Sequence, residues 1–117
     1  MCSSDLMDTA YSQLELPFRQ ALFVWSTVIS VSKDYAVADC GLKSLGMDHG
    51  NPAVAGAKVW FCSDEHLTFA PERRLAVGDR IRVLPAHIDP TVAYHEEIQV
   101  VAGEEVVDAW AVDLRGW

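Results

Sequence analysis

ALFVWSTVISVSKDYAVADC, residues Ala21–Cys40, decides the fold. Its first twelve residues are rich in β-branched and aromatic side chains, which suit a pleated, half-buried surface. Lys33–Asp34 gives a turn signal, and YAVADC resumes the apolar character, so the stretch predicts two strands with a tight connection.

The same pattern continues on both sides. Met7–Gln20, MDTAYSQLELPFRQ, is polar and mixed, and Pro17 breaks any helix it starts; it reads as an irregular lead-in. Gly41–Gly56, GLKSLGMDHGNPAVAG, concentrates glycines around Pro52 and reads as a long loop, a place where function often resides. Ala57–Ala70 returns to strand character, Leu75–His87 is a turn at Gly78–Asp79 followed by a strand, and Glu97–Asp113 is a hairpin around Ala102–Glu105. No window sustains a helical period. The expected architecture is mostly β, a small antiparallel barrel or sandwich whose function must be argued from its loops.

Half of the 117 residues are hydrophobic, enough for one modest domain with a packed core. Seventeen acidic against nine basic residues leave a net charge of -8, which repels phosphate backbones and anionic membrane surfaces. Neither nucleic acid nor membrane is expected as a partner. No run reaches the roughly 20 apolar residues of a membrane span, and no secretory leader is legible, so a cytoplasmic location is expected. Cys2, Cys40 and Cys62 lack metal spacing and do not suggest a disulfide framework; Cys40 and Cys62 read as buried free thiols. Met1–Leu6, MCSSDL, matches nothing that follows and reads as a non-native scar. Residues 7–117 then form the domain, with the native protein expected to continue upstream.

Chemistry concentrates in Pro85–Glu97, PAHIDPTVAYHEE. On an extended backbone residues i and i+2 share a face, so His87 and Asp89 would point together while Ile88 turns into the core. An imidazole with a carboxylate suits manganese, magnesium, zinc or ferrous iron, and two protein ligands leave positions open for catalysis. His-x-Asp is also a pattern that arises by chance.

Pro85–Trp117, together with Val37–Pro52 (VADCGLKSLGMDHGNP) and Ser63–Phe69 (SDEHLTF), resembles the C-terminal domain of the D-threonine aldolase and D-serine dehydratase family. That resemblance implies an alanine-racemase-like enzyme whose N-terminal α/β barrel, absent from this chain, carries most of the pyridoxal phosphate site. It places the family's metal ligands on His87 and Asp89, which act in catalysis through the ion. An oxygen ligand at Asp89 favours the aldolase branch with Mn2+ or Mg2+, Zn2+ also being compatible; a cysteine there would mark the dehydratase branch. The implied reaction is retro-aldol cleavage of a D-3-hydroxy amino acid to glycine and an aldehyde, in a homodimer. This chain alone would be inactive. D-serine dehydration is the alternative, and a non-catalytic β-barrel binding module is the alternative of another class.

His66 matches a family segment near the active site and reads either as a catalytic group or as an ordinary hydrogen-bonding residue. His49 and His95 read as surface or supporting groups rather than ligands. Lys43 and Lys58 read as solvated lysines, with a local Asp39–Lys43 ion pair. Trp25, Trp60 and Trp110 read as core aromatics, Tyr94 as a half-buried strand residue, and Trp117 as a docking group.

Overall fold

The computed structural model of the protein describes residues 7–113 and Arg115. Met1–Leu6, read as a scar, and Trp117 lie outside the described residues. A single helical turn, α1 (Thr9–Ser12), precedes the first strands β1 (Val24–Val31) and β2 (Ala36–Ala38), which form the expected antiparallel hairpin. The Ser32 N–H donates to the Tyr35 carbonyl at 2.8 Å across its turn.

Four further strands complete the main sheet: β3 (Ala53–Val54), β4 (Ala57–Cys62), β5 (Leu67–Pro71) and β6 (Arg80–Leu84). Their order is β3-β6-β1-β2-β5-β4, with every pair antiparallel. The outermost strands, β3 and β4, are joined directly through Ala55–Gly56, where Gly56 takes φ +65°. The sheet therefore curls into a near-closed barrel, and few strand edges are left unpaired.

Period-two alternation fills the interior. Ser26 and Val28 on β1, Ala36 and Ala38 on β2, Leu67 and Phe69 on β5, and Ile81 and Val83 on β6 are all buried. Leu45 and Leu75 join this core from the connecting loops. Cys40 is buried and Cys62 half-buried, both free as expected, and burial pushes the Cys62 thiol up to about 11.

After β6 the chain forms α2 (Ile88–Ala93), then a separate two-stranded sheet of β7 (Glu97–Ala102) and β8 (Glu105–Ala111). Gly103 takes φ +65° in the two-residue turn, as the Gly-containing connection predicts. The tip of this hairpin is tied to the barrel by Arg82, whose Nη2 donates to the Gly103 carbonyl at 3.0 Å. The same guanidinium lies 4.7 Å over the Phe23 ring.

Three expectations about side chains are corrected. Trp60 and Trp110 are exposed, at 43% and 57%, because Trp60 lies on the outer barrel face against Tyr35 and every β8 residue is solvent-facing. Trp25 is half-buried on the outside of β1, edge-on to Phe23. Tyr94 is an exposed C-terminal cap of α2 rather than a strand residue. Lys43 pairs with Glu65 at 2.6 Å instead of Asp39, which accepts the Thr27 N–H.

Candidate metal centre

Three separate segments converge where β6 hands over to α2. The Gly41–Pro52 loop docks on α2 at Gly46, which forms an isolated antiparallel bridge with His87. Its N–H donates to Thr91 Oγ1 at 2.8 Å, and Thr91 in turn donates to the His87 carbonyl at 2.6 Å. Only glycine permits this approach, since a Cβ at Gly46 would sit 2.4 Å from Pro90 Cγ. The loop thereby delivers Asp48 and His49 to His87.

The lead-in supplies the third segment. Asp8 is buried, and its Oδ1 accepts the Ile88 N–H at 2.7 Å, satisfying a donor at the start of α2 that no residue within the helix can reach. Its Oδ2 lies 3.9 Å from His49 Nδ1. One potential ligand atom from each of Asp8, His49 and His87 falls within 4.8 Å of the others.

Electrostatics favour the cluster. His87 Nδ1–H donates to both oxygens of Asp48, at 2.8 and 2.7 Å. That bond raises the His87 pKa above the usual histidine range and lowers Asp48 below the usual carboxylate range. The His49 ring stacks on His87 with centroids 3.9 Å apart and planes 4° from parallel. An imidazole binds a cation along its in-plane lone pair, so two parallel rings cannot both aim at one ion. Joint ligation by both histidines therefore requires one ring to turn.

The extended geometry expected for His-x-Asp stops at His87, whose φ of -135° and ψ of 120° make it the residue before α2. Asp89 is exposed in the first helical turn, so strand alternation is not what relates it to His87. Ile88 is buried as expected. His66 lies in the exposed Ser63–His66 turn between β4 and β5, and it is not among the three gathered ligands. His95 donates from Nε2 to the Ser44 carbonyl at 2.9 Å, the supporting role expected of it. Sequence reasoning missed Asp8 altogether and set His49 aside. Nothing local marks Asp8, whose partner Ile88 is 80 positions away.

Oxygen and imidazole donors of this kind fit a divalent cation such as Mn2+, Mg2+ or Zn2+. Among the described residues, Lys33, Lys43 and Lys58 are all exposed, and none belongs to the cluster.

Comparison with known proteins agrees with this architecture. The chain is 38% identical over 104 residues to the 3-hydroxy-D-aspartate aldolase of Paracoccus denitrificans, covering 85% of this chain and 27% of that protein. It is 34% identical over 109 residues to the D-threonine aldolase of an Arthrobacter species, covering 87% and 29%. The chain thus spans little more than a quarter of the curated aldolases it matches. An uncharacterized Mycobacterium tuberculosis protein is 33% identical over 124 residues, with 89% of this chain and 93% of that protein covered.

Among solved structures, the D-threonine aldolase from Filomicrobium marinum superposes with a TM-score of 0.80 at 32% identity, covering 89% of this chain and 31% of that one. The D-threo-3-hydroxyaspartate dehydratase from Delftia sp. HT23 gives 0.68 at 26%, covering 83% and 33%, and a cysteine-to-alanine variant of it is known in a metal-free form. Residues 21–101 match the family described as "Putative serine dehydratase domain", and the chain belongs to that family.

Proposed function

We propose that this chain is the metal-binding C-terminal portion of a pyridoxal phosphate- and divalent metal-dependent lyase of the D-threonine aldolase type. Its reaction is cleavage of a D-3-hydroxy amino acid to glycine and an aldehyde. The observation that carries this reading is His87 held at the start of α2 among carboxylates, at the position where the family resemblance expects a metal ligand.

His87 supplies the nitrogen ligand, and Asp89, in the first turn of α2, is the proposed oxygen ligand beside it. The buried Asp8 carboxylate adds negative charge next to the ion site. His66 is the proposed group nearest the substrate carboxylate. Bound there, Mn2+ or Mg2+ supplies Lewis acidity toward the substrate hydroxyl, and pyridoxal phosphate on the N-terminal barrel supplies the electron sink. The protein is proposed to act as a cytoplasmic homodimer on a small-molecule substrate.

The test uses the complete polypeptide carrying this domain, supplied with pyridoxal phosphate and Mn2+. Glycine and acetaldehyde from D-threonine, lost in Asp89→Ala, are the expected result. Pyruvate and ammonia from D-serine would move the assignment to the dehydratase branch, which the Delftia structure keeps in view. Turnover of neither substrate refutes the lyase reading. A non-catalytic module is the second reading, favoured by the mycobacterial relative of nearly domain length.

A further inference from the structure

We propose that Asp48 is a positioning residue that fixes which nitrogen of His87 meets the divalent cation. This rests on the metal-binding reading above and goes beyond it by assigning a tautomer. A carboxylate accepts and does not donate, so the 2.7 and 2.8 Å contacts require Nδ1 to carry a proton. Nδ1 is thereby blocked, because a cation needs about 2.0–2.1 Å to a ring nitrogen and cannot enter a gap already closed by the hydrogen bond. Nε2 is left with the lone pair. Donation from the second ring nitrogen to a carboxylate also raises the basicity of the ligating one.

The surroundings hold this arrangement. His49 stacks on one face of the His87 ring, and its Nε2 lies 3.8 Å from Asp48 Oδ2, so the ring cannot flip without breaking the stack. Asp48 is 57% exposed, yet its backbone is indexed to His87 by the Gly46 bridge two residues earlier.

The experiment compares the complete polypeptide with its Asp48→Asn and Asp48→Ala variants by two readouts. Two-bond 1H–15N spectra of the metal-free protein report the His87 tautomer, and titration with Mn2+ alone reports affinity. Asparagine keeps an oxygen acceptor, so D48N should remain Nδ1-protonated and lose only a few-fold in affinity. D48A should show mixed tautomers and bind Mn2+ about 10–100-fold more weakly. An unchanged tautomer and affinity in D48A overturns the proposal, and so does a D48N as weak as D48A, which would make Asp48 a ligand itself. Loss of lyase turnover plays no part in either readout, so failure of the functional reading is seen separately as Mn2+ binding without activity.

Discussion

Asp8 joins two kinds of chemistry in one side chain, satisfying the Ile88 N–H through Oδ1 while turning Oδ2 toward His49. Removing it leaves a buried N–H unpaired, which costs about 1–2 kcal/mol, and also removes negative charge beside the ion site. Asparagine separates the two effects, since its amide oxygen still accepts from Ile88. Asp8→Ala should therefore lower both the denaturation midpoint and Mn2+ affinity, whereas Asp8→Asn should lower the affinity and nearly keep the midpoint. Equal loss of stability in both variants would show that charge, and not the hydrogen bond, is what α2 needs. At this scale His87 was legible because histidine, carboxylate and proline stand together in PAHIDP. Asp8 was not, because its value depends entirely on a contact across the length of the domain.

Elements were easier to read than side chains, with one instructive failure. The β1–β2 and β7–β8 hairpins follow from β-branched runs around turn residues, and the Ser63–His66 turn converts Ala57–Ala70 into the β4–β5 hairpin. The extended reading of His87–Asp89 fails at Ile88, where α2 begins. Asp89 and Pro90 both fall in the first turn of α2, where an acidic side chain complements the helix dipole and a proline loses no hydrogen bond. The signal was present but the wrong period was applied to it. The contact that matters here is Gly46 against α2. Gly46→Ala would drive a methyl into the Pro90 ring, a rigid neighbour, and into the His87 carbonyl at 3.1 Å. Pushing the loop outward should cost about 1–3 kcal/mol, read as a lower urea midpoint at unchanged m-value. Substituting the exposed neighbour Leu42 with alanine should change it by no more than about 0.5 kcal/mol. A tolerated Gly46→Ala would mean that the loop does not hold its close approach to α2.

Over the whole molecule, the barrel encloses its core, while the β7–β8 hairpin adds a sheet whose second strand is solvent-facing throughout, including Val106, Val107 and Trp110. Composition could announce a core but not which aromatics stay outside it, because Trp60 and Trp110 sit in strands indistinguishable by pattern from buried ones. The net charge of -8 is likewise visible in the sequence, but its gathering at one point is not. Asp8, Asp48 and Asp89 come from the lead-in, the docked loop and the start of α2, and each raises the His87 pKa through its negative charge. A divalent cation would relieve that crowding and tie separate segments together, so binding should stabilise the fold itself. At a free Mn2+ concentration 100-fold above its dissociation constant, mass action contributes about 2.7 kcal/mol. For a domain of this size that corresponds to a rise of about 10 °C in melting temperature. Calorimetry of this chain should show the rise with Mn2+, its reversal by chelator, and its absence in His87→Ala. A melting temperature indifferent to Mn2+, or an equal rise in His87→Ala, would mean that the convergence of these three segments is a structural joint with no cation in it.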